Sequence, residues 1–352
     1  MKKIHVIPIF VALTIVISIL PQAAYAASVV GTVTVPGAPF ALGFNPSNND
    51  IYTANQGSNT VSVISNTTVV GNVAVSPGPN AIAFNPSNNY TYVSSQGVLN
   101  KVSVISGTTV VGNVTVGVGP YELAFNPSNN DIYVTNSGDG TVSVISGTTL
   151  VGTITVGNNP RGLAFNPSNN DMYVANNIDG TVSVISGTTV VNTVNVGSSP
   201  RAVAFNPSNN NMYVANYGTT TVSVISNQNV HTVRNVGTSP VALVFNPSNN
   251  DMYVANEGSN TVTLISGTKT VGTVTVGILP RAIAFNPSTN NIYVANENSN
   301  TVSVISGTSL IDTVTVGSGP HALAFNPSNN DIYVANYNNG MGVLNTVSLI
   351  AG

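Results

Sequence analysis

Only 5% of the 352 residues are Asp, Glu, Lys or Arg, against roughly 25% in average soluble domains. Eight basic and eleven acidic residues leave a formal net charge of −3, which argues against a nucleic-acid partner because that affinity comes mainly from Lys and Arg on phosphates. Cysteine is absent, so disulfides, thiol catalysis and thiolate metal sites fall away together.

The first residues read as an address. Lys2 and Lys3 precede an apolar run from Ile4 to Leu20, Pro21 breaks it, and Ala24-Tyr25-Ala26 offers small residues for a signal peptidase. A signal peptide over 1–26 is expected, with an uncleaved anchor as the alternative, because an apolar run of this length nearly spans a bilayer. Export puts the mature chain outside the cell or on its surface, or in the periplasm of a diderm host. No later segment resembles a membrane span, and residues 27–352 are expected to form a single domain. The surface must then consist of Asn, Ser, Thr and Gly. Weak self-repulsion of that kind suits lateral packing at a crowded surface; simple copying of a charge-poor repeat explains it equally well.

The tetrapeptide Phe-Asn-Pro-Ser occurs eight times, beginning at Phe44, Phe84, Phe125, Phe165, Phe205, Phe245, Phe285 and Phe325. All intervals are 40 residues except the second, which is 41. Such a period means a solenoid or a propeller. In the copy 161–197, a short run from Arg161 to Phe165 ends at the turn Asn166-Pro167-Ser168-Asn169-Asn170. Met172 to Ala175 is rich in β-formers, Asn177-Ile178-Asp179-Gly180 turns the chain, and Thr181 to Ile185 alternates. Ser186-Gly187 makes a tight hairpin before a last strand from Thr189 to Val196. Four antiparallel strands per copy make a propeller blade, and Ala202 and Ala204 suit the crowded strand nearest the axis. Val29 to Val35 resembles a fourth strand without the first three, and Thr346 to Ile350 a third strand without a fourth. The expected fold is therefore all-β: an eight-bladed propeller whose N-terminal strand completes the last blade and hides both edges.

Tyr133-Val134-Thr135-Asn136, with near variants such as Tyr173-Val174-Ala175-Asn176, resembles the YVTN family of β-propeller repeats over essentially the whole mature chain. The resemblance implies a bacterial or archaeal secreted protein similar to archaeal surface-layer proteins. Two features depart from it: the second copy reads Tyr92-Val93-Ser94-Ser95, and many relatives have seven blades. It implies little about activity, because propellers host many functions.

Chemistry is sought where the copies differ. The residue after the Pro that opens each inner strand is Phe40, Asn80, Tyr121, Arg161, Arg201, Val241, Arg281 or His321. In a propeller these eight form a ring at one channel mouth, where arginines hold a carboxylate or sulfate through paired donors or simply pack their stems and face water. The loop after each second strand varies too, contributing Gln56, Gln96, Ser137, Asn177, Tyr217, Glu257, Glu297 and Tyr337, and it is longest in the last copy, over 338–344. Asp50, Asp131, Asp171, Asp251 and Asp331 end the Asn-Asn turns, and Asp139 and Asp179 precede turn glycines. One Asp per turn falls short of the six to eight oxygens that calcium takes, so no metal or cofactor is expected. Asn66, Asn89 and Asn113 head glycosylation sequons.

With His231 and His321 as the only histidines after the signal and no visible carboxylate cluster, the composition reads as non-enzymatic. The main reading is an exported structural or interaction module. Its partners would be surface proteins, glycans or further copies of itself. Two readings stay open beside it: a channel-mouth enzyme of lactonase or lyase type using His321 with Glu122 and the arginines, and a propeller that binds a small ligand without catalysis. An acidic cluster facing the arginines discriminates in favour of the enzyme; a flat neutral rim favours the module.

Overall fold

Every copy of the repeat folds as its turn signals dictate, and the fourth shows why. The strands Pro160–Asn166, Asp171–Asn176, Thr181–Ser186 and Thr189–Asn195 lie side by side in chain order, all antiparallel. The first connection is held by Asn166, whose Oδ1 accepts from the backbone N–H of Ser168 at 2.9 Å and from its Oγ at 2.6 Å. Asn170 then takes the left-handed region at φ 63°, which Asn tolerates better than most residues. At the outer hairpin Gly187 has φ 57°, a conformation glycine reaches without steric cost.

The computed structural model describes residues 26–352 except Gln228 and 338–343. The signal-peptide prediction thus falls almost wholly outside the described residues, as does most of the long loop expected at 338–344.

Eight such four-stranded sheets form the ring, and hydrophobic layers lie between neighbouring blades. Tyr133, Val142, Val144 and Ile154 of the third blade pack on Leu163, Met172, Val174 and Ile185 of the fourth, with Phe165 filling the wedge. A tyrosine hydroxyl pins blade to blade across that layer. Tyr52, Tyr92, Tyr133, Tyr213 and Tyr253 donate to the hairpin glycine carbonyls Gly107, Gly147, Gly187, Gly267 and Gly307 of the next blade, at 2.7–3.1 Å. Each also accepts from the amide of the Asn four residues earlier. The tyrosine of the repeat motif is therefore at once a large buried apolar ring and a satisfied polar tip.

Closure follows the sequence expectation. Val29–Thr34 pairs antiparallel with Thr346–Ile350, which continues through Asp331–Asn336 to the inner strand Pro320–Asn326. Val33, Val35, Val347 and Leu349 share a core with Ile51 and Ile64 of the first blade. Tyr333 donates to the carbonyl of Asn66 at 3.1 Å, so the last blade is tied to the first as any blade is to the next.

Candidate functional site

Inner strands begin at a proline, and register slips directly after it in every blade, as between Pro200 and Ala202. The slip turns the residue after the proline toward the channel mouth. Phe40, Tyr121, Arg201, Val241, Arg281 and His321 line one cavity of about 490 Å³ together with Glu122, Glu297 and Tyr337. Two members of the expected ring lie elsewhere. Asn80 is 5% exposed and donates to the carbonyl of Tyr121 at 2.7 Å. Arg161 lies over the Tyr121 ring, 5.2 Å from its centre, and its Nε donates to Asn159 Oδ1 at 3.3 Å. Both therefore brace Tyr121 instead of lining the cavity.

The variable loops supply what the ring lacks. Pairing of Pro280 with Asn296 sets Arg281 beside Glu297, the first residue of a short 3-10 turn, Glu297–Ser299. The Arg281 Nε donates to Glu297 Oε2, and His321 Nδ1 lies 3.7 Å from the same oxygen. On the other side, Arg281 Nη1 is 3.8 Å and Arg201 Nη1 3.7 Å from Glu257 Oε2. Tyr217 donates to Glu257 Oε1 at 3.1 Å, and the Arg201 guanidinium sits over the Tyr217 ring, 4.9 Å from its centre. A continuous chain of alternating charge, Arg201, Glu257, Arg281 and Glu297, thus runs across three consecutive blades and ends on His321 of the next. An acidic cluster faces the arginines, which is the feature that discriminates for an enzyme.

Aromatic packing fixes the histidine. Its ring lies 4.3 Å from Phe40 and 5.4 Å from Tyr337, and Tyr337 is anchored by donating to Gln56 Oε1 at 3.1 Å. With Nδ1 turned to Glu297, Nε2 is the nitrogen left for a substrate. Burial alone would raise the Glu297 carboxyl, but His321 and Arg281 outweigh it and hold it below the usual range. Burial opposes charge on Arg281 also, and Glu297 and Glu257 overcome it, so its guanidinium stays firmly charged.

Glu122 breaks a second ring. The position two after the opening proline is Ala41, Ala81, Gly162, Ala202, Ala242, Ala282 or Ala322 in the other blades, and a carboxylate only in the third. Its carboxyl is pushed up to about 7, chiefly by burial, with the Arg201 charge opposing. A carboxyl there exchanges protons near neutral pH, the property that general acid–base work needs.

The other sequence candidates have structural surroundings. Ser137 donates to the Gly119 carbonyl and Asn177 to the Pro200 carbonyl, while Gln96 is exposed. Asp139 and Asp179 accept backbone N–H groups from Val118 and Asn158 at 2.8 and 2.7 Å, as turn residues do. Asn66 and Asn89 stand exposed at left-handed turns with φ 52° and 59°. Asn113 is exposed on its outer strand and accepts from Ser103 Oγ at 2.8 Å. Among the described residues no group of three or more His, Cys, Asp or Glu side chains is arranged to hold a metal ion.

Residues 147–239 match the family model described as lactonase, 7-bladed beta-propeller. That stretch includes Arg161, Arg201 and Tyr217 and is well under half the chain. No curated protein matches. Among solved structures, the chain is similar to Kuenenia stuttgartiensis hydrazine synthase, with 20% identity, TM-score 0.62, and 90% of this chain and 96% of that one covered. It is similar to a catalytically inactive His-to-Ala variant of Staphylococcus aureus virginiamycin B lyase with quinupristin, at 11% identity, TM-score 0.64 and coverages of 91% and 98%. A Bacteroides uniformis protein provisionally named a 6-phosphogluconolactonase gives 16% identity, TM-score 0.58 and coverages of 79% and 95%. At these identities the likeness is one of fold: a β-propeller.

The lactonase match, beside propellers named lyase and lactonase, overturns the expectation of a non-enzymatic chain. The physical reason is that carboxylates scattered in sequence converge in space. Glu257 and Glu297 stand 40 residues apart, one full blade, and the packing of adjacent blades brings both onto Arg281.

Proposed function

We propose that the channel mouth opens cyclic esters by hydrolysis, the chemistry for which the matched family is named. The observation that carries this reading is the chain of ion pairs from Arg201 through Glu257 and Arg281 to Glu297, ending on His321, at a mouth that also holds Glu122, a carboxyl pushed up to about 7. In this mechanism Glu297 orients His321, and Nε2 takes a proton from water as its oxygen bonds to the lactone carbonyl carbon. Charge developing on the carbonyl oxygen is met by the guanidinium donors of Arg281 and Arg201. The ring C–O bond then breaks. Its oxygen takes a proton from the neutral form of Glu122, and a hydroxy acid leaves.

A second reading is favoured by one observation, the inactive His-to-Ala variant of the similar lyase. There His321 removes a proton from carbon, a C=C bond forms, and the ring C–O bond breaks to release a carboxylate with no water consumed. Export and a place at the cell surface, with proteins or glycans as neighbours, remain part of the proposal on the strength of Lys2, Lys3 and the apolar run that follows. Ring opening in water enriched in ¹⁸O separates the two chemistries. Label in the product carboxylate supports hydrolysis; an unlabelled, unsaturated acid supports elimination. No opening of any γ- or δ-lactone above the spontaneous rate would sink both.

A further inference from the structure

We infer that the substrate is an uncharged cyclic ester bearing an apolar or aromatic ring, and that Glu257 is the residue that turns anionic substrates away. This deepens the ring-opening reading and rests on it. Two guanidiniums at a channel mouth would ordinarily attract a phosphate or carboxylate. Here each already has a carboxylate partner. Glu257 Oε2 lies within 3.7–3.8 Å of both Arg201 and Arg281, and Glu297 takes the Nε of Arg281. The two positive charges are matched by two negative ones, so the mouth has little net charge to draw in an anionic substrate, while guanidinium N–H donors remain for a carbonyl oxygen. Glu122, which lines the same cavity, adds repulsion once ionised.

Glu257 is also placed to act through charge alone. Its side chain is 11% exposed, and it is not among the residues that line the cavity. Tyr217 holds its Oε1, whereas Oε2 is buried and has no hydrogen-bond partner beyond the two longer ion pairs. A carboxylate kept buried with so little direct bonding is costly, and the field it casts on both arginines is the one thing it supplies. Beside Arg201, Arg281, Glu122, Glu297 and His321, the cavity is lined by the apolar or aromatic side chains of Phe40, Tyr121, Val203, Val241, Leu243 and Tyr337. That apolar part of the wall gains from burying a flat ring.

The test compares dihydrocoumarin, a neutral aromatic lactone, with 6-phosphogluconolactone on the full chain and on Glu257→Gln. For the natural protein, kcat/KM should be at least about tenfold higher for dihydrocoumarin, the scale of one partly buried charge pair. Glu257→Gln should lower the ratio of kcat/KM for dihydrocoumarin to that for the phosphorylated lactone about tenfold, whatever it does to the absolute rates, and Glu257→Asp should restore the natural ratio. Preference of the natural protein for the phosphorylated lactone, or a ratio unmoved by Glu257→Gln, would overturn the inference. Calorimetric binding of 3,4-dihydro-2-quinolinone, a lactam that resists opening, and of its 6-carboxylate keeps the two claims apart. Selective binding of the neutral lactam without turnover of any lactone supports the charge argument and removes the ring-opening reading. Equal or tighter binding of the carboxylate overturns the charge argument whatever the turnover.

Discussion

On the face of the ring where the Asn-Pro-Ser turns lie, bonds recur from blade to blade. The turn Asn accepts from the Ser two residues on, and the tyrosine reaches the next hairpin. At the channel mouth opposite, position after position differs. Phenylalanine, tyrosine, arginine, valine and histidine occupy equivalent places. The difference follows from what each set of side chains touches. A tyrosine that satisfies a carbonyl of the next blade cannot change without leaving that carbonyl bare. A residue pointing into a water-filled mouth is free to diverge, and charge accumulates there because nothing in the fold forbids it. In a repeat protein the identical positions hold the ring together and the divergent ones carry its chemistry.

Substitutions on the two faces should break in opposite ways. The largest effect is expected from deleting 27–35, which strips the outer strand from the last blade and bares Val347 and Leu349. Cooperative unfolding should be lost and aggregation should set in, as seen by calorimetry and size-exclusion chromatography; an intact transition would refute closure as the source of stability. Next comes His321→Ala, which should lower kcat about 10²–10⁴-fold with an unchanged Tm.

Glu122→Gln should act through pH. The folded carboxyl titrates at about 7 against an ordinary value of 4.5, so the folded state binds the proton more tightly than the unfolded chain. The advantage of the protonated form is full below about 4.5 and is lost as pH rises through about 7. Urea titrations should show the variant level with the natural protein at pH 4 and more stable at pH 8, by up to about 3 kcal/mol. The limb near pH 7 should also vanish from its rate profile.

Smallest is Tyr213→Phe. Its hydroxyl donates to Gly267 at 2.7 Å and accepts from Asn209 at 3.0 Å, so the loss should be about 1–2 kcal/mol of stability, with kcat untouched. A change in rate there would blur the division between the two faces.

The sequence carries the ring almost entirely. The period, the turn signals and the complementary ends suffice for eight blades, because each is a local signal repeated many times. The mouth is only half legible. Phe40, Tyr121, Arg201, Val241, Arg281 and His321 are read correctly as neighbours because the ring geometry is implied by the period. Asn80 and Arg161 escape that logic, since a side chain's direction depends on whichever neighbour it meets, here Tyr121. The carboxylates are harder still. Glu257 and Glu297 belong to the other set of variable loops, and only the hairpin registers that pair Pro240 with Asn256 and Pro280 with Asn296 lay those loops against the ring. Composition, which shows few charges, conceals that several of them share one mouth.

If this mouth is catalytic, lactone opening will release protons that a pH-stat can follow. The purified protein, His321→Ala and Tyr213→Phe would be followed side by side on a panel of neutral lactones at pH 7. Ring opening is expected from the natural protein and from Tyr213→Phe, with a rate reduced at least about a hundredfold in His321→Ala. Proton release at the spontaneous rate in all three, or equal acceleration by His321→Ala, would contradict it.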